Sequence, residues 1–386
     1  MQLALTDDEA KFRDELREFY TTEIPADIRE RMRLGTLAGP QDIATSHKIL
    51  NANGLAVPHW PVEWGGKDWT PTQHQIYVDE MQLACVPEPL NFNTKMVGPV
   101  IAEFGSQQVK ERFLPATANL DIWWCQGFSE PEAGSDLASL RTTAQRDGDT
   151  YVVNGQKTWT TLGQYADWIF CLVRTDPQAP KRQAGISFLL IDLDTPGITM
   201  RPIKLIDGSV EVNEVFFEDV RVPADQLVGE ENKGWTYAKF LLGNERTGIA
   251  AVGRTKVRLA EVKQHAAANG LLDEPLFAAR LAEVENELLA LELTQMRVVS
   301  GSADGKANPA SSVLKLRGSQ LQQAATELLV EVAGPDALPY GADGDITSPD
   351  WAQRAAPVYL NYRKTSIYGG SNEVQRNIIS STILGL

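Results

Sequence analysis

The sequence predicts an α+β protein in which a helical block, a β block and a second helical block follow one another. Three observations carry that prediction. Apolar residues recur at helical spacing from Thr6 to about Asn119, at a period of two from Trp123 to about Val228, and at helical spacing again from Trp235 onward. No helix-period crossover interrupts the β block, so its sheet should be antiparallel or mixed, as a barrel or a sandwich. A chain of 386 residues is too long for one ordinary core, and the changes of period divide it into 1–120, 121–232 and 233–386.

The first block opens on Thr6-Asp7-Asp8-Glu9, a capping box ahead of Phe12, Leu16 and Phe19. A loop rich in Pro, Trp and Gly, Val57 to Gly66, interrupts it. Helical spacing returns over Thr72 to Ala84 and near Gln107 to Leu114. In the β block, Tyr151-Val152-Val153 and Gln156-Lys157-Thr158-Trp159 flank Asn154-Gly155, a strong two-residue hairpin signal. Further strands are expected over Trp168 to Val173, Ile186 to Ile191 and Val212 to Phe217, with turns at Asp147-Gly148 and Thr195-Pro196-Gly197. In the last block, helices are expected over 235–268, 275–300 and 309–333, with a shorter one at 372–384; Gly301 and Gly334 mark stops.

The composition, 43% apolar and 23% charged, is that of a globular protein. A net charge of −15 argues against nucleic acid and anionic membrane as partners, since both need a basic surface; a local basic site for a phosphorylated ligand is compatible with it. No apolar run approaches the roughly 20 residues that span a bilayer. Met1 to Glu30 lacks the basic start and apolar run of a secretory signal. Cys85, Cys125 and Cys171 form no CxxC and cannot all pair, which points to reduced core cysteines and a cytoplasmic protein. His47, His59, His74 and His265 have no metal-ligand spacing, so no metal site is expected.

Three generic sites are missing: a GxGxxG after a strand, a P-loop and a GxSxG elbow. Chemistry is sought instead in two segments. Cys125 to Asp136 reads as a strand entering a Gly/Ser/Asp turn, which can aim backbone N–H groups and hydroxyls at a ligand. In Asn154 to Thr161, Trp159 and Thr161 are two apart on a strand and face the same side. An indole beside a hydroxyl suits a planar, hydrogen-bonding ring system; the same residues also suit a turn beside a core tryptophan.

Together these segments resemble the paired signature of the acyl-CoA dehydrogenase family. The resemblance extends to Trp64-Gly65-Gly66 and to Tyr368-Gly369-Gly370-Ser371-Asn372-Glu373, and so covers essentially the whole chain. It implies an N-terminal helical domain, a middle β-barrel or sandwich domain and a C-terminal four-helix bundle. It also implies FAD, an acyl-CoA thioester desaturated to the trans-2-enoyl-CoA, and an electron-transfer flavoprotein as acceptor. By position, Gln126, Phe128, Ser129, Gly134, Ser135, Trp159 and Thr161 would contact FAD, and Ser135 also the CoA. Ser371 and Glu373 would lie at the adenine end, where Glu373 departs from a common glutamine.

Many members of that family carry the catalytic base directly after the tyrosine of the late motif. Here Gly369 stands there and has no side chain to take a proton. A branch of the family places the base on an earlier helix, just before an arginine, and Gly243-Asn244-Glu245-Arg246-Thr247 matches that pattern. Leu241, Leu242, Ile249 and Val252 lie at helical spacing around Glu245, an apolar stripe that would raise its pKa toward that of a working base. A structural pair of Glu245 with Arg246 is the competing reading. The resemblance implies that Glu245 takes the α-proton while the β-hydrogen leaves as hydride to the flavin. The backbone N–H of Gly369 and a ribityl hydroxyl would share the charge that develops on the thioester oxygen.

Two departures bear on partners. The family's neighbouring subunit clamps FAD with an Arg-x-x-Phe-Gly segment and a glutamine before a Gly-Gly turn. The corresponding stretches here read His265 to Asp273, without the arginine, and Glu331-Val332-Ala333-Gly334-Pro335, with an acid in place of the glutamine. A heterotetramer with a related subunit is therefore expected, as in heteromeric members such as pimeloyl-CoA dehydrogenase, whose large subunit the chain resembles around Trp60 to Gly66 and Glu245. A homotetramer is the alternative. Other functions open on the same fold are a flavin monooxygenase, an acyl-CoA oxidase, or a flavin-poor structural subunit.

Overall fold

The computed structural model describes residues 5–34, 38–244, 250–300, 308–338 and 347–386. The first block holds helices α1 (Asp7–Thr22), α2 (Ala26–Leu34), α3 (Pro40–Ala52), α4 (Pro71–Leu83), α5 (Gly98–Phe104) and α6 (Gln107–Ala118). The capping box forms as the spacing predicts: the Glu9 N–H donates to the Thr6 hydroxyl at 3.2 Å and the Thr6 N–H to the Glu9 carboxylate at 2.8 Å. A second box at Thr70 and Gln73 starts α4. Arg17 grips Glu80 with two hydrogen bonds, 2.9 and 3.0 Å, and ties α1 to α4. The Trp60 indole is buried and donates to the Thr94 carbonyl at 2.6 Å. Its loop needs glycine at Gly66, where a Cβ would stand 1.6 Å from the Trp60 carbonyl oxygen.

The β block is one seven-stranded mixed sheet in the order β1-β4-β2-β3-β7-β6, with β5 also paired to β4. Its strands are β1 (Trp124–Gly127), β2 (Thr143–Asp147), β3 (Thr150–Thr161), β4 (Trp168–Arg174), β5 (Ile186–Asp192), β6 (Ile198–Ile203) and β7 (Val212–Pro223). β1 runs parallel to β4, while β3 with β7 and β4 with β5 are antiparallel. Both faces of β4 and β5 are buried: Phe170, Leu172, Phe188 and Leu190 pack with the helical block, and Ile169, Cys171, Val173 and Leu189 with β3 and β7. That explains their near-continuous apolar runs.

One strand expectation fails. Asn154-Gly155 is no hairpin turn; β3 continues through it, and the turn lies at Gly148-Asp149, as Asp147-Gly148 signalled. The pair makes a bulge instead. Asn154 bonds Asp219 of β7 twice, at 3.0 and 2.8 Å, through its side-chain amide. Gly155 sits at φ +148°, and a Cβ there would lie 2.6 Å from the Thr142 hydroxyl. Close approach of a third strand segment, not a chain reversal, is what requires glycine.

The second helical block holds α7 (Gly234–Asn244), α8 (Val252–Ala268), α9 (Pro275–Ser300), α10 (Ser311–Ala333), α11 (Asp350–Tyr362) and α12 (Asn372–Ile378). The continuous helix expected over 235–268 is interrupted before Val252, where Ala251 is left-handed at φ +49°. At that break α10 comes so close that a Cβ on Gly318 would lie 2.7 Å from the Ala250 backbone. Leu241 and Val252 thus belong to different helices, and the single apolar stripe drawn through Glu245 does not extend to Val252. Gly334 ends α10 as expected, while Gly301 lies outside the described residues. Helix α11 was not anticipated: Pro349 is its N-cap and Pro357 lies within it, and both read as breakers in sequence. Among the described residues no helix is long and apolar enough to cross a membrane.

Candidate active site

The two signature segments meet at β1 and β3. The Thr158 N–H donates to the Ser129 carbonyl at 2.9 Å, so the end of the first segment is stitched to the strand that carries the second. Beneath this contact lies a fully buried ion pair. Lys157 donates to Glu130 at 2.7 Å and to the Phe128 carbonyl at 3.2 Å. Glu130 also accepts from the Arg141 and Thr142 backbone N–H groups, at 2.6 and 2.9 Å. Burial alone would raise the Glu130 pKa, but the Lys157 ammonium and these donors outweigh it and hold the carboxyl below its usual range. Sequence reading gave Lys157 and Glu130 no role. The two lie 27 residues apart, and no local signal links them.

Trp159 is an exposed member of this strand, as are Asn154 and Gly155. Thr158 and Trp159 stand opposite the single residue Glu214, a bulge that leaves Trp159 left-handed at φ +61° and 58% exposed. Thr160 is buried, and its hydroxyl has no partner among the described residues. Thr161, two residues beyond Trp159, is half-buried. Across the contact Phe128 is buried against Phe170 and Phe188, Gln126 and Ser129 are half-buried, and Gly134 and Ser135 are exposed. A Cβ on Gly134 would meet nothing within 4 Å, so the turn faces open space. A strained, solvent-facing indole beside an open turn fits a planar group such as the isoalloxazine of FAD.

The late motif forms a tight turn into α12. Gly369 and Gly370 are left-handed, at φ +63° and +82°. The Gln375 side-chain amide donates to both their carbonyls, at 3.2 and 3.3 Å. Ser371 caps α12 by accepting from the Val374 N–H, and Glu373 is exposed beside Arg376. Asn372 anchors the turn to α10 by accepting from Lys315 at 3.1 Å and Ser319 at 3.0 Å. Among the described residues no hydrogen bond joins Ser371 or Glu373 to the Gln126 to Thr161 segments. Glu245 and Arg246 lie outside the described residues.

A further cluster, missed in sequence, couples the sheet to the last helical block. The Leu162 N–H donates to the Glu211 carbonyl at 2.7 Å. The Glu211 carboxylate pairs with Lys364, and Asn361 of α11 donates to Asp207 at 2.7 Å. The strand end at Thr161 is thereby tied to the segment that leads into Gly369. The two departing stretches also meet, because the Asn269 side chain donates to the Val332 carbonyl at 3.2 Å. Within them Glu331 pairs with Arg280, and His265 stacks on Trp351 at 3.6 Å.

A bulged strand that presents an exposed indole beside an open turn is the kind of site that receives a flat cofactor. Residues 6–121, 125–220 and 232–384 match the N-terminal, middle and C-terminal domains of acyl-CoA dehydrogenases. Acyl-CoA dehydrogenase IpdE1 of Mycobacterium tuberculosis is 35% identical over 387 residues, covering 98% of both chains. Among solved structures, the Tcur3481-Tcur3483 steroid ACAD superposes with a TM-score of 0.88 at 30% identity, over 100% of this chain and 99% of that one. The ChsE4-ChsE5 complex from Mycobacterium tuberculosis gives 0.85 at 33% identity, over 100% and 99%. The chain belongs to the acyl-CoA dehydrogenase family, whose members are FAD-dependent oxidoreductases acting on CH–CH groups.

Proposed function

We propose that this chain desaturates the Cα–Cβ bond of an acyl-CoA thioester, with Glu245 as the base and FAD held by Gln126, Phe128, Ser129, Gly134, Ser135, Trp159 and Thr161. The observation that carries the reading is the Ser129–Thr158 hydrogen bond at 2.9 Å beneath the exposed Trp159 indole, because it joins the two segments that would have to grip one ring. Bound FAD would supply the two-electron acceptor for the β-hydrogen, taken as hydride. Glu245 would take the α-proton and become a neutral acid. The α-carbon is a far weaker acid than a carboxylic acid, so charge on the thioester oxygen needs a donor, and the Gly369 N–H is suited to that task. The left-handed backbone of Gly369 supports this division of labour, since a side chain there would be strained. Arg246 would orient the base. Ser371 and Glu373 would lie at the adenine end of the cofactor.

For partners, the two-component names of the steroid ACAD and the ChsE4-ChsE5 complex support a heteromer with a related subunit. An electron-transfer flavoprotein is the proposed acceptor. Three free cysteines support a reducing compartment such as the cytoplasm.

The test is anaerobic bleaching of the flavin by a panel of acyl-CoAs, with wild type and Glu245→Gln. A variant that binds the thioester and stays yellow supports the base, and bleaching at the wild-type rate removes it. If no acyl-CoA bleaches the wild type, alone or with a related subunit, the dehydrogenase reading falls.

A further inference from the structure

The Gly369–Gly370 turn treats its donors and its acceptors differently. The segment before it winds onto one oxygen: the Ile367 and Tyr368 N–H groups both donate to the Lys364 carbonyl, at 2.9 and 3.1 Å. The next two N–H groups, of Gly369 and Gly370, have no hydrogen-bond partner among the described residues. The carbonyls of the same two glycines are both taken by one side chain, the Gln375 amide, at 3.2 and 3.3 Å. Gln375 is fully buried, whereas Gly369 is half-buried and Gly370 exposed. A carbonyl can only accept, so Gln375 must turn its NH2 toward the pair. Its own oxygen is then left buried, with no partner among the described residues. Unpaired buried acceptors are costly and uncommon, so this orientation of the amide calls for a reason. The fit is also close: a Cβ on Gly370 would stand 2.5 Å from the Gln375 nitrogen.

We propose that Gln375 is a positioning residue for the reaction: it holds the carbonyls of Gly369 and Gly370 inward and so leaves the Gly369 N–H aimed at the thioester oxygen. This rests on the dehydrogenase reading and deepens it. Glycine rotates more freely about its backbone bonds than any other residue, so the Gly369 N–H is a fixed donor only if something outside the residue sets its peptide planes. A donor that is already oriented when charge develops stabilises that charge without reorganisation. A carbonyl oxygen swung toward the same place would repel it. Gln375 acts on both counts through Gly369, and its amide neither gives up nor takes a proton. The turn is also held at both ends. Lys364 pairs with Glu211, whose carbonyl accepts from the Leu162 N–H beside Thr161, and Asn372 accepts from Lys315 and Ser319 of α10. Between those anchors, the Gln375 amide is the side chain that grips the two glycines themselves.

The test compares the flavin-loaded full chain, with a related subunit where activity requires one, with Gln375→Met, which keeps the length of the side chain and loses the donor. The probe is the trans-2-enoyl-CoA of whichever acyl-CoA bleaches the flavin fastest, labelled with carbon-13 at the thioester carbonyl. It is bound to the oxidised flavoprotein, where no hydride is left to transfer, and isotope-edited infrared spectroscopy reads its C=O stretch. In wild type the stretch should lie below that of the free thioester in water. In Gln375→Met about half of that lowering should vanish, since one of two donors is misplaced. The kcat should fall about 10- to 100-fold with KM within about twofold, the pattern of a catalytic group held out of place. Gln375→Asn, an amide one carbon shorter, should show the same two losses and serves if Gln375→Met does not fold. A wild-type stretch equal to that of the free thioester overturns the proposal without any variant. So does an unchanged stretch in a flavin-loaded variant, or a loss confined to KM. Failure of every acyl-CoA to bleach the flavin would instead strike the dehydrogenase reading.

Discussion

Lys157 and Glu130 form an ion pair at 2.7 Å with Lys157 entirely buried, and the pair sits directly under the backbone contact that joins Ser129 to Thr158. A charge removed from water costs several kcal/mol unless it is fully paired. Here Glu130 has a side-chain cation and two backbone donors, and Lys157 has a carboxylate and a carbonyl. The pair holds together the two segments that carry Ser129 and Trp159.

Lys157→Met should destabilise the fold by about 3–5 kcal/mol, since it strands a buried carboxylate. Urea denaturation measures this. Glu130→Gln together with Lys157→Met should recover much of the loss. A single variant as stable as wild type would show that the pair does not organise the loop.

The same pair sets a pH dependence. Glu130 is held below its ordinary 4.5, so its contribution is present above that value and is lost as pH falls through the lower folded value. Wild type should lose its stability advantage over the double variant on acidification, as read from denaturation midpoints between pH 7 and pH 3.

Asp79 behaves in the opposite sense. It accepts from Gln75 at 2.8 Å and from Gln295 at 3.3 Å, and burial raises its pKa from 3.8 to about 6. A raised carboxyl costs stability once ionised, so the loss develops as pH rises from its unfolded value through about 6. Asp79→Asn should match wild type near pH 4 and exceed it at pH 8 by up to about 3 kcal/mol. Equal stability at both pH values would refute the assignment.

Trp159 separates cofactor binding from folding. Its left-handed backbone costs roughly 1–2 kcal/mol and its indole is 58% exposed. Trp159→Gly should leave the flavin-free protein within about 1 kcal/mol of wild type, because relief of strain offsets the entropy of glycine. FAD affinity should fall roughly 2- to 12-fold, the worth of an aromatic contact. Flavin titration and denaturation measure the two, and a large loss of stability would make Trp159 a packing residue.

Two glycines of the sheet distinguish crowding from backbone strain. Gly148, at φ +57°, has open space where a Cβ would go, so Gly148→Ala should cost about 1–2 kcal/mol. Gly155→Ala would add a Cβ 2.6 Å from the Thr142 hydroxyl and should cost more, read by thermal denaturation of both. Equal costs would mean that the Thr142 segment moves aside.

Period alone determined the order of helical and β blocks, most of the helices, and the strands β4, β5 and β7, because a buried face imposes its spacing on the residues that form it. The motifs of Cys125 to Asp136, Trp159 to Thr161 and Tyr368 to Glu373 likewise carried the family. What local pattern could not decide were features that depend on a neighbour distant in the chain. Asn154-Gly155 reads as a hairpin until Asp219 and Thr142 claim its side chain and its open face. The helix expected through Ala251 breaks where Gly318 of α10 leaves no room. Pro357 reads as a breaker, yet α11 forms around it and packs on α10. Lys157 and Glu130 lie 27 residues apart, so neither announces the other, and only the fold made them partners in a space without water. Local propensity and period are properties of a segment, whereas close approach and desolvation are properties of the assembled core.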